Sequence, residues 1–129
     1  MKYGELDGLV KALRALRTQP QSFFTARKLK DVCDAVDKEA RWMAEQMQSI
    51  VDQCAEKDDK GKPVQTEDGN GIRIAKQDKF KKLVSELVDT ETGDIPQIAE
   101  GMLKLFKVSV AELDSLLLIC KKDEEIKDE

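Results

Sequence analysis

Apolar residues recur along this chain at the spacing of helices, and their breaks divide it into segments. Leu6, Leu9, Val10, Leu13 and Leu16 fall three or four residues apart, which predicts a first helix from about Glu5 to Arg17 with Lys11, Arg14 and Arg17 outside its apolar stripe. Thr18, Gln19, Pro20 and Gln21 interrupt it, because a proline disfavours helical backbone in the residue before it. Ser22 or Thr25 is then placed to cap a second helix.

The second helix carries the most regular pattern. Leu29, Val36, Met43 and Ile50 occupy one heptad position, and Cys33, Ala40, Met47 and Cys54 the other. Steps of four and three without a break are those of a coiled-coil seam, a narrow stripe that stays against a facing helix along its length. A helix of about 30 residues is roughly 45 Å long. No other predicted helix matches it, so the seam needs either shorter helices laid end to end or a second copy of the chain. Thioether and thiol side chains make it a soft seam that adapts to its partner. A homo-oligomer, most simply a dimer, is the expectation, with the central helix of a monomeric bundle as the alternative.

Beyond Cys54 the chain turns polar from Glu56 to Pro63, a loop by composition. Val64–Thr66 and Ile72–Ala75 then flank Glu67, Asp68, Gly69, Asn70 and Gly71, which predicts a small β-hairpin. Asp78 is placed to cap a third helix to about Asp89, with Phe80, Leu83, Val84, Leu87 and Val88 facing inward. Residues 90–96 read as a connection. Residues 97–108 fit a helix through Ile98, Met102, Leu105 and Phe106, but Gly101 weakens it, and helix and strand both stay open. Ser109 and Glu112 form a capping box for a last helix to about Cys120. The expected fold is therefore mainly α, a helical bundle around one long coiled-coil-like helix with a small β-hairpin. It forms a single domain over residues 1–120, followed by a charged, disordered tail over 121–129.

Composition supports this picture. Aromatic residues are 5 % of the 129 and charged residues 37 %, so the core is aliphatic and an all-β fold is disfavoured. No run approaches the roughly 20 apolar residues of a membrane span. Lys2, Glu5 and Asp7 interrupt the first ten residues, which lack the apolar block of a secretion signal. A cytoplasmic protein is expected. Cys33, Cys54 and Cys120 are odd in number, far apart and set in apolar helical patterns, as for buried thiols in a reducing compartment.

Read in order, the opening helix, the long helix through Glu39 to Ile50, the Asp68–Asn70 hairpin, the Phe80–Val88 helix and the closing Ser109–Leu117 segment resemble an uncharacterised family of small tailed-phage proteins. The resemblance covers most of the chain as pattern rather than as a signature motif. It implies a phage or prophage setting in a bacterial host cell, and brings no activity or site residue with it.

The residues offer little catalytic chemistry. There is no histidine, so a serine or cysteine nucleophile lacks its commonest base, and the widely spaced thiols form no zinc site. Aligning Gly71 with the glycine of a calcium loop puts Thr66 first and Gln77 last, where Asp and Glu are needed. A phosphate-binding loop is also lacking. The expectation is a protein without catalytic residues, metal or cofactor.

Charge is distributed unevenly. Residues 1–30 hold seven basic and two acidic side chains, although the whole chain carries −4. Arg14, Arg17, Arg27 and Lys28 flank the start of the long helix, where free amides and the helix dipole also favour an anion. These side chains bind phosphate, pair with the acidic remainder of the protein or simply face water. Trp42 lies off the seam, as a recognition residue or under another helix. Phe23 and Phe24 belong to a hydrophobic staple or the core, or one of them lines a pocket. The first functional expectation is a non-enzymatic phage accessory protein in counter-defence, by analogy with small oligomeric phage proteins that sequester nucleotide signals of host immunity. Arg14, Arg17, Arg27 and Lys28 would hold phosphates and Phe23 or Trp42 would stack on a base. The alternative is an interaction protein that docks on a host or phage protein as an inhibitor or assembly factor. Duplex nucleic acid is disfavoured because most of the chain repels phosphate.

Overall fold

A computed structural model of the chain describes residues 1–121 and shows a mainly α protein. A 3-10 turn, Tyr3–Glu5, leads into α1, Leu6–Arg17. The helix α2 spans Phe23–Cys54, 32 residues and therefore about 48 Å. Of the two candidate caps, Ser22 is the one used, and its side chain accepts from Thr25 N at 3.3 Å. Then follow α3, Gln77–Asp89, the two-residue strand β1, Ile98–Ala99, and the short α4, Glu100–Leu103. The chain continues through α5, Val110–Leu116, a 3-10 turn at Leu117–Ile119 and β2, Cys120–Lys121. The capping box of Ser109 and Glu112 starts α5 as its sequence requires.

Three local expectations are corrected. The N-cap of α3 is Lys76, without a side-chain cap, and Asp78 sits inside the first turn, where its charge complements the helix dipole. The reversal at 64–74 is held by isolated antiparallel bridges, Gln65↔Ile72 beside Ala55↔Ile74 and Lys57↔Pro63, whereas the named sheet is parallel and pairs Ile98 with Cys120. The last helix ends at Leu116 because the chain tightens into the 3-10 turn that delivers Cys120 to β1. The charged tail assigned to 121–129 lies outside the described residues except for Lys121, which pairs in β2.

Two shorter helices, laid one after the other, cover most of α2. The helix α1 packs on its first half, where Leu6, Leu9, Ala12, Leu13 and Leu16 join Leu29, Val32, Cys33 and Val36 in one buried cluster. On its other side α1 meets α5 closely enough that a Cβ on Gly8 would stand 2.7 Å from Ser115 Oγ. Ile98, Leu103, Phe106, Leu116 and Ile119 close that flank. The helix α3 begins beside the end of α2, where Ala75 N and Lys76 N both donate to Cys54 O, and runs back along the second half, with Ile50 of α2 and its own Leu87 buried. Its far end returns to the N-terminus, with Tyr3 N donating to Thr90 O at 2.9 Å.

The joint between the two covering helices is polar. The Tyr3 hydroxyl donates to the Glu39 carboxylate, whose other oxygen accepts from Gly93 N at 2.9 Å. The Tyr3 ring stacks on Trp42, centroids 4.9 Å apart and planes at 30°. One carboxylate on α2 thus fastens both the N-terminal turn and the loop after α3. Burial, reinforced by the Glu39 hydrogen bond and charge, pushes the Tyr3 phenol up to about 12 from 10.0.

Two predictions follow from this joint. A Cβ on Gly93 would lie 2.5 Å from Glu39 Oε1, so in Gly93→Ala the carboxylate must shift and its bond from Gly93 N is weakened. Such charged bonds contribute about 1.5 to 3 kcal/mol each, and thermal unfolding of Gly93→Ala should show a loss of no more than that size. The raised phenol pKa stabilises the native state fully below pH 10, and this contribution fades as pH rises towards about 12, because the unfolded chain ionises first. Tyr3 is the one tyrosine of the sequence, so its ultraviolet titration reads the group directly. In Glu39→Gln the pKa should fall only part of the way towards 10, because burial, the largest cause, remains.

Candidate functional site

The first turn of α2 projects past the end of α1, and among the described residues none covers its two phenylalanines. Phe23 is 76 % exposed and Phe24 84 %, in edge contact with each other at 5.9 Å. Neither forms a staple or joins the core, because the buried stripe of α2 begins only at Thr25 and Leu29. Leu105, 69 % exposed, shares a recess of about 360 Å³ with Pro20, Gln21, Ser22 and Thr25. The Gln19 amide fixes that neighbour by bonding to Lys107 O at 2.8 Å and accepting from Lys107 N at 2.9 Å. The α1–α2 turn, the start of α2 and the 104–107 turn therefore form one end of the molecule.

That end is basic. Segments 14–30 and 101–109 contain Arg14, Arg17, Arg27, Lys28, Lys30, Lys104 and Lys107, and no acidic residue. Seven positive charges on a chain of net −4 leave −11 for the remainder. Lys30 pairs with Asp34, while Arg17, Arg27, Lys28, Lys104 and Lys107 are exposed at this end of the molecule.

The four cations assigned to a phosphate site are only partly brought together. Arg17 lines a cleft of about 300 Å³ with Gln21, Leu29, Lys30 and Cys33. Asp34 stands at this cleft, its carboxyl held below the usual range by the Lys30 hydrogen bond at 2.7 Å and by the charges of Lys30, Arg17 and Arg27. Arg14 lies one turn further along α1, in a separate groove beside Met43 and Met47. Lys28 is about 100° round the helix from Arg27 and lines neither space. Trp42 is 40 % exposed, with one face taken by Tyr3, and lies 15 residues or about 22 Å along α2 from Arg27. A single small nucleotide cannot touch both. The cation that position in the sequence missed is Lys30, whose pairing with Asp34 one turn on gave no sign of the cleft between them.

No family model, curated protein or solved structure matches the chain.

The thiols place no further chemistry here. No disulfide joins them; Cys33 and Cys54 are buried, and Cys120 is half-exposed rather than buried, because it sits at the edge strand β2. Burial raises the Cys33 thiol most, with Asp37 and Asp34 adding to the rise and Arg17 and Lys30 opposing it. Mass-resolved alkylation of the native protein should modify Cys120 first and Cys33 and Cys54 only on unfolding.

Proposed function

We propose that this is a non-enzymatic interaction protein that docks its basic, phenylalanine-tipped end on an acidic protein segment bearing aliphatic side chains. The observation that carries the reading is the exposure of Phe23 and Phe24 side by side inside a rim of cations. Two phenyl rings held in water forgo a few kcal/mol of burial that any apolar partner would recover, by roughly 25 cal/mol per Å². The rim decides what that partner is. Arg17, Arg27, Lys28, Lys104 and Lys107 attract carboxylates, and at cellular salt the Debye length of about 8 Å screens the acidic remainder from a ligand at this end. Leu105 and the edge-on rings suit aliphatic side chains better than stacked bases. The resemblance to small tailed-phage proteins puts the partner among phage or host proteins, with inhibition or assisted assembly as the outcome of docking.

A second reading keeps the anionic small molecule. Arg17, Arg27 and Lys30 around Asp34 give a net positive cleft of about 300 Å³, at the small end of ligand sites. A sequestered nucleotide would set its phosphate there, with its base towards Leu29 and Gln21.

The two readings separate in one experiment. A fluorescent helical peptide of leucine and glutamate should bind, weaken with salt, and lose about tenfold or more in affinity in Arg27→Glu and in Phe23→Ser/Phe24→Ser. A basic peptide of the same pattern should not bind. Equal binding by wild type and the double serine variant overturns the docking surface. Calorimetry against cyclic and linear nucleotides that detects binding abolished by Arg17→Glu but untouched by the serine pair would establish the cleft instead.

A further inference from the structure

The covering of α2 is incomplete where α1 hands over to α3. The seam residues Leu29, Cys33 and Val36 are buried under α1, and Ile50 and Cys54 lie buried at the other end, but Ala40, Met43 and Met47 between them remain half-covered. They line a groove of about 370 Å³ with Val10 of α1 and the exposed Ala44. A stripe that keeps heptad spacing through a gap in its own cover is suited to another helix of the same pitch. Its centre is of a kind that lets helices approach closely: Val10, Ala40 and Ala44 are short, and the two thioethers adapt to what meets them.

The charges at the ends of this groove are of opposite sign. Asp7 and Arg14 both line it from α1, seven residues or about 10 Å apart, with Val10 between them. We propose that the groove is filled by a second copy of this chain, related by a two-fold axis beside Val10. In such an interface residue i meets j and j meets i. With the two α1 helices antiparallel, Asp7 of each copy meets Arg14 of the other, and the apolar middle of the groove closes on itself. A parallel arrangement would set like charges against each other at both ends. Lys11 now holds Asp7 at 3.0 Å in a solvent-exposed pair, which costs little to exchange. The proposal is independent of the docking end, which lies beyond Arg17 and stays free.

Equilibrium sedimentation of the full chain at tens of micromolar tests this. The wild type should sediment as a dimer. Asp7→Arg and Arg14→Asp should each weaken it about tenfold or more by setting like charges together, and the doubly exchanged protein should recover the dimer, because the pairs are then restored with their signs reversed. Ala44→Arg, a change at an exposed position that the fold tolerates, should abolish it. Circular dichroism melts identify any variant whose fold has changed, and the remaining variants carry the test. A monomeric wild type overturns the proposal and leaves the groove to a foreign helix. A dimer indifferent to all these changes puts the interface elsewhere, and a doubly exchanged protein that stays monomeric overturns the two-fold charge pairing.

Discussion

The fold depends on a mismatch of lengths. A helix of 32 residues exposes more seam than any other helix in the chain covers, so α1, with 12 residues, and α3, with 13, share it in series. Two helices in series leave a joint, and a joint against an apolar helix is where water would enter. Glu39 answers this by binding the Tyr3 hydroxyl on one side and Gly93 N on the other, while Tyr3 and Trp42 stack over the gap. A carboxylate beside the apolar seam of α2 is thus held by two donors that lie 90 residues apart in the chain. The close approach of Gly93 and the raised phenol of Tyr3 are both results of this arrangement.

Much of this was legible from periodicity, for a local reason. Helix α1, the long α2 and the start of α5 are set by apolar spacing and by caps such as Ser22 and Ser109, whose partners lie within a few residues. What periodicity cannot carry is the identity of the covering element. The unbroken run from Leu29 to Cys54 has the same pattern whether one helix, two helices or another molecule lies over it. Ile98 and Ala99 pair with residues more than 20 positions away, so their strand had no local signature, and Gly101 only weakened the helical alternative. The parallel pairing is as short as a pairing can be. Phe23 and Phe24 were assigned to the core or a pocket because large aromatic residues usually belong there. Their exposure follows from where α1 stops, which is a property of the packing.

The candidate site was legible in part. The charge imbalance of the N-terminal segment was visible in composition, and it survives as a basic end that also gathers Lys104 and Lys107 from far along the chain. What sequence order suggested as one cluster is divided by helix geometry. Arg17 and Arg27 converge on Asp34 with Lys30, Arg14 belongs to the groove of Met43 and Met47, and Lys28 faces elsewhere. The half-exposed Trp42 has a partner in Tyr3 and serves the joint.

The segregation of charge along α2 has a kinetic consequence. Arg17, Arg27, Lys28, Lys104 and Lys107 gather at one end, which gives the described residues an electric dipole with a component along the longest helix. A dipole experiences a torque in the field of a charged partner before any side chain makes contact. An acidic surface that comes within about 8 Å, a Debye length at cellular salt, of the basic end therefore turns that end towards itself, and a larger share of encounters becomes productive. The two phenylalanines stand at the pole that such a field brings forward, so apolar contact is the first event after orientation and not the result of a random search.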